Sequence, residues 1–100
     1  MSTPKNGNVW QAPDALTIYD VKGLEQGFDA GLLQAPLTLD MAAISELDTA
    51  GAQWLLSLRA RLRAAGHGWQ PINPPEEVAR TLTQLGLAPL FELKPEAGHD

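Results

Sequence analysis

The sequence predicts an α/β domain built on a small mixed β-sheet, with helices packed mainly on one face. Three observations lead there. Strand-like and helix-like patterns alternate along the chain, as they do where crossover helices cover a sheet. Residues 49–65 contain no proline and place Gly51, Leu55, Leu58 and Leu62 at spacings of four, three and four, which is one face of a long helix. Upstream of that helix, Leu37-Thr38-Leu39-Asp40-Met41 alternates with the period of a strand.

Length and composition set the bounds. A chain of 100 residues makes one domain, whose core buries roughly 60 to 65% of the surface exposed when the chain is unfolded. Without cysteine, neither a disulfide framework nor a thiolate metal site can form. No apolar run is long enough to span a bilayer. Met1-Ser2-Thr3-Pro4-Lys5-Asn6-Gly7-Asn8 has neither the charged start nor the apolar centre of a signal peptide, so a cytoplasmic setting is expected. A formal charge of −5 argues against nucleic acid as the main partner, because phosphate contacts need clustered Lys and Arg. The expected layout is a flexible tail over 1–8, a domain over 9–93 and a second flexible tail over 94–100.

The elements follow in order. Val9-Trp10-Gln11 and Leu16-Thr17-Ile18-Tyr19 read as short strands joined through Ala12-Pro13-Asp14-Ala15, an antiparallel edge hairpin. Val21, Leu24, Phe28 and Leu32 mark a helix over about 21–34, with Asp20 as candidate N-cap and Pro36 beyond its end. The central helix stops at Gly66 and Gly68 and concentrates Arg59, Arg61 and Arg63 in its C-terminal half, where the helix dipole favours positive charge. Trp69-Gln70-Pro71-Ile72 is a strand that Pro71 confines to an edge or bulge. Asn73 is the candidate N-cap of a helix over about 75–85 that buries Val78, Leu82 and Leu85 and stops at Gly86; Leu87, Leu90 and Phe91 then close over the core.

The chemistry concentrates at Asp48-Thr49-Ala50-Gly51, where the strand pattern yields to the central helix. If Leu55, Leu58 and Leu62 face the sheet, successive steps of about 100° turn Thr49, Gln53, Leu56 and Ala60 outward, a strip suited to another protein's surface. A phosphate on Thr49 would meet the positive end of the helix dipole while adding nearly two charges beside Asp48 and near Asp40. The plainer account is that Thr49 or Asp48 simply caps the helix. Asp40 and Asp48 also resemble a carboxylate pair for acid–base work, but no histidine, lysine or metal-ligand companion lies nearby in sequence. No metal or cofactor is expected, and His67 and His99, Gly-flanked or terminal, read as solvated imidazoles. The three arginines suit a solvated face, an acidic partner or a nucleotide phosphate. Trp54 and Trp69 are expected to border the core, with Trp10 over an edge. Gly23, Gly27 and Gly31 recur every four residues, which points either to close packing within the domain or to a self-association groove that would make a homodimer.

The run from Leu37 to Gly51, an Arg-rich amphipathic helix, Ile72-Asn73-Pro74-Pro75 and Leu82-x-x-Leu85-Gly86-Leu87 together resemble a STAS domain over about residues 9–93. The resemblance implies a bacterial cytoplasmic regulatory module without catalytic activity of its own. In anti-sigma factor antagonists, the residue matching Thr49, often a serine, is phosphorylated by a partner kinase that is also the anti-sigma factor. The unphosphorylated form binds that partner and frees the sigma factor, which regulates transcription. A related branch comprises STAS subunits docked on the ATPase of lipid-transporting ABC systems, with the threonine at the contact. This chain differs from the common pattern in its brief N-terminal hairpin, in Thr rather than Ser at 49, and in Ala52 where a bulkier aliphatic is frequent. The expected partner-binding set is Asp40, Asp48, Thr49, Gln53, Leu56 and Ala60, with a small-ligand or nucleotide-binding module as a further alternative.

Overall fold

The computed structural model describes residues 7–93. Its main sheet has three strands in the order β1 (Asn8–Gln11), β3 (Leu37–Asp40), β5 (Trp69–Ile72). Both pairings are parallel, with Trp10 opposite Leu39 and Leu39 opposite Pro71. A second parallel pair joins β2 (Ala15–Leu16) to β4 (Glu46–Leu47). The expected antiparallel hairpin, and with it the mixed pairing of the sheet, is therefore corrected. β1 and β2 are consecutive in sequence yet belong to different sheets, and every ladder among the described residues is parallel. Local alternation identifies a strand but carries no information about a partner nearly thirty residues away.

Each parallel step needs a crossover. Between β1 and β3 the chain forms α1 (Val21–Gly27) and a short 3₁₀ helix (Ala30–Gln34); between β3 and β5 it forms α2 (Thr49–Ala64). Both steps move the same way across the sheet, so right-handed crossovers lay α1 and α2 on one face. Burial agrees, because Leu37, Leu39 and Trp69 are buried, while Val9, Gln11 and Gln70, which alternate with them, are exposed. α3 (Glu76–Gln84) contributes Val78 and Leu82, and Phe91 closes the same core cluster. Phe91 lies 5.4 Å from Trp69 between ring centroids, and Trp69 Nε1 donates to the Leu90 carbonyl at 3.3 Å.

The central helix spans almost the expected residues, and all four members of its stripe are buried with Ala52 and Trp54. It ends in a Schellman turn: His67 N–H bonds to the Leu62 carbonyl at 2.8 Å and Gly66 N–H to Arg63 at 3.0 Å. α3 ends in the same way, with Leu87 N–H on Leu82 and Gly86 N–H on Thr83. Gly66 and Gly86 take the positive φ these turns demand, 84° and 77°.

Four local expectations are corrected. The helix expected over 21–34 breaks at Phe28 and Asp29, both extended, because the Asp29 carboxylate accepts from Gly31 N–H at 2.9 Å and starts a new turn. The strand expected over 16–19 ends at Leu16, since the Asp20 carboxylate folds back onto Thr17. Asn73 is not the N-cap of α3; it adopts φ 58°, a left-handed conformation asparagine tolerates, and Pro75 occupies the cap position. Leu85 is 37% exposed, because the turn at Gly86 carries it off the apolar stripe. Trp10 is half-buried in an aromatic triangle with Phe28 and Trp54, centroids 5.7–5.8 Å apart.

The glycines separate sharply. Among the described residues a Cβ on Gly23 or Gly27 would meet nothing within 4 Å, so no close approach there explains either one, and Gly31 lies in the separate 3₁₀ helix. A Cβ on Gly51 would fall 1.9 Å from the Leu16 carbonyl oxygen. Gly51→Ala is therefore expected to lower unfolding free energy by about 3 kcal/mol, and Gly23→Ala to raise it by about 0.5–1 kcal/mol. Urea titration of both variants checks the pair; a small loss at Gly51 would show that α2 backs away from β2 freely.

Candidate functional site

The entrance of α2 is assembled from two distant stretches of chain. Pairing of β2 with β4 brings residues 14–20 alongside 45–51, and backbone bonds tie them: Ser45 and Glu46 N–H to the Asp14 carbonyl at 2.8 and 3.0 Å, and Asp48 N–H to Leu16 at 3.2 Å. Asp48 then acts as a clamp. Its Oδ1 accepts from Gly51 N–H at 3.0 Å, capping the helix, and its Oδ2 accepts from Ile18 N–H at 2.9 Å, holding the opposite loop. The Gly51 and Ile18 amides, in that order, hold the Asp48 carboxyl below the usual carboxylate range, against a smaller opposing effect of desolvation.

Capping therefore falls to Asp48. Thr49 is the first residue of the helix and is exposed, and among the described residues its hydroxyl makes no hydrogen bond. Gln53 and Ala60 are exposed on the same face. Leu56 is half-buried and packs against the core cluster, so the expectation that it points largely outward holds only for part of its surface. Asp40 sits at the end of β3, where Oδ1 accepts from Ala42 N–H at 3.0 Å and Asn73 Nδ2 at 3.4 Å. Among the described residues it shares no hydrogen-bond partner with Asp48.

The basic half of α2 is partly committed within the domain. Arg61 pairs with Glu25 at 2.7 Å, and the same Glu25 oxygen accepts from Trp54 Nε1 at 2.9 Å. The Arg61 bond first, and the Trp54 bond second, hold the Glu25 carboxyl below its ordinary range. Among the described residues no group of His, Cys, Asp and Glu is arranged to hold a metal. His67 is half-exposed, and His99 lies outside the described residues.

Sequence reasoning missed the loop held by Asp48. Ile18 is 57% and Tyr19 92% exposed, at the tip of a turn held by its own ends. Thr17 N–H and Oγ1 both donate to Asp20 Oδ2, at 2.9 and 2.7 Å, and Tyr19 N–H donates to Thr17 Oγ1 at 3.2 Å. A signal was present: Thr-x-x-Asp before an apolar-periodic run is the pattern of a capping box, in which the fourth side chain reaches back to the first residue's amide.

A STAS-domain family model matches residues 7–98. The chain belongs to the STAS family. No curated protein matches it in sequence. Among solved structures it is similar to the anti-sigma factor antagonist SpoIIAA in its unphosphorylated form, with 18% identity over 99% of this chain and 88% of that one, at a TM-score of 0.68. At that identity the likeness establishes a shared fold. No described helix is long and apolar enough to cross a membrane.

The Asp48 clamp has a pH signature. Its folded-state pKa is lowered, so the clamp's contribution is complete above the unfolded value near 3.8 and is lost as pH falls through the folded value. The melting temperature of wild type minus that of Asp48→Asn should be positive at pH 6 and shrink below about pH 4. Thermal melts between pH 3 and 6 check this; a constant difference would mean that the carboxylate charge does not contribute.

Proposed function

We propose that this STAS domain is a non-catalytic protein-interaction module of the anti-sigma factor antagonist type, switched by phosphorylation at Thr49. One observation carries the reading. Asp48 caps α2, which leaves the Thr49 hydroxyl exposed and, among the described residues, without a hydrogen bond at the helix's positive end. A hydroxyl that caps nothing can be modified without unfolding the helix. The face that continues from it through Gln53 and Ala60, with part of Leu56, is the contact strip for a kinase-like anti-sigma factor, and Asp40 flanks it at the same end of the sheet. An added phosphate next to Asp48 disrupts that contact and leaves the fold in place.

Docking on the ATPase of a lipid-transporting ABC system would use the same strip. Engagement of Arg61 by Glu25 weakens the nucleotide-binding alternative, because that guanidinium is already paired. Affinity capture from native lysate with mass spectrometry separates these readings: a histidine-kinase-like ATPase is expected, and an ABC ATPase would transfer the strip to the second branch. Tight nucleotide binding by the purified domain without either protein would overturn both.

Thr49→Glu is expected to weaken partner binding strongly while stability stays within about 1 kcal/mol, because an acidic side chain in the first turn suits the dipole. Calorimetric titration and thermal melts check the two halves; equal binding by Thr49→Glu and wild type would remove the switch. Leu56→Asp should weaken binding and also lower the melting temperature, since that side chain is shared with the core.

A further inference from the structure

The turn Thr17–Asp20 presents apolar side chains to solvent from a backbone that is unusually well held. Its four residues are fixed by the bonds of Thr17 N–H and Oγ1 to the Asp20 carboxylate, by Asp20 and Val21 N–H on the Thr17 carbonyl at 2.8 and 3.2 Å, and by the Asp48 carboxylate on Ile18 N–H. Exposed loop tips usually carry small polar residues, yet this one carries Ile18 at 57% and Tyr19 at 92% exposure. A tyrosine held in place contributes contact area with little ordering cost, the property that favours aromatic anchors at interfaces.

Beside the turn, Thr17, Ser45, Glu46, Asp48, Glu77 and Thr81 line an open groove of about 320 Å³ between β4 and α3. Thr17 and Asp48 belong to both features, so knuckle and groove form one continuous surface. Three carboxylates line the groove, and Lys22 is the only base in residues 14–22 and 45–49. The charge of the surface selects the chemistry of what covers it.

The geometry points to an anchor on this surface: Ile18 and Tyr19 insert into an apolar socket of a partner protein, and an Arg or Lys at the socket's rim enters the groove lined by Glu46, Asp48 and Glu77. The inference rests on the reading of the α2 entrance as a partner contact and deepens it. Through Asp48 the knuckle is joined to the residue preceding Thr49, so charge added at Thr49 falls beside the groove the partner's cation must enter. A phosphate there adds a bulky, hydrated group beside the apolar anchor, and the cost of desolvating it opposes docking.

The test places the photocrosslinker p-benzoylphenylalanine at position 19 or position 53 of the full chain in its own cells, followed by mass spectrometry of the linked peptides. Both positions are expected to link the same heterologous protein, with an Arg or Lys beside apolar residues in the peptide linked to position 19. With that protein purified, Tyr19→Ala should weaken binding about tenfold or more without changing the melting temperature. Glu46→Lys combined with Glu77→Lys should weaken binding at low salt and lose most of that effect at high salt. A link at 53 but none at 19, or wild-type affinity for Tyr19→Ala, overturns the anchor and leaves the α2 reading standing. A link from 19 to a second copy of this chain replaces the partner with self-association. Salt-independent binding unaffected by charge reversal overturns the basic rim, and the absence of links at both positions overturns the anchor and the α2 reading together.

Discussion

The contact between Gly51 and the carbonyl of Leu16 is the constraint on which the rest of the site depends. Only a residue without a side chain lets the first turn of α2 rest on β2, because a Cβ there would overlap the carbonyl oxygen at 1.9 Å. That approach puts the amides of Gly51 and Ile18 within reach of one carboxylate, and Asp48 takes both. Helix cap, loop anchor and strand pairing are therefore one arrangement. Its consequence for function is that Thr49, relieved of capping, stands exposed at the helix's positive end.

The parallel topology explains why this site lies at an edge of the fold. Three strands in the order β1-β3-β5 carry their crossovers to one face, and the helices begin at the strands' C-terminal ends, where chain segments from different crossovers meet. β2 and β4 are two residues each, too short to contribute much stability, and their role is positional. They register the entrance of α1 against that of α2. The opposite face of the sheet carries Val9, Gln11 and Gln70 in solvent, uncommon for parallel strands and workable here because only three strands are involved.

Two ion pairs show how the surface divides. Glu25 is held by Arg61 and Trp54, which links α1 to α2 away from the Thr49 entrance and occupies one of the cations that suggested a nucleotide site. Glu76 and Arg80 form an exposed pair one helical turn apart at 3.2 Å, a contribution of a few tenths of a kcal/mol at most. Around the α2 entrance the charge is mostly negative, so association there is governed by what the partner supplies.

The sequence by itself determined the central helix, its buried stripe, its glycine stop and the edge placement of the Pro71 strand, because these depend on periodicity and on backbone geometry within a few residues. Family membership was legible for the same reason, in an ordered series of local motifs. Tertiary structure alone decided that β1 pairs with β3 and not with its neighbour, that the first helix breaks at Phe28, and that Leu56 is shared with the core. It also decided that Asp48, and not Thr49, caps α2, and that Ile18 and Tyr19 stand beside it in solvent. Those outcomes turn on which of several chemically adequate partners reaches a group first. Distance through space, which a linear pattern does not encode, makes that choice.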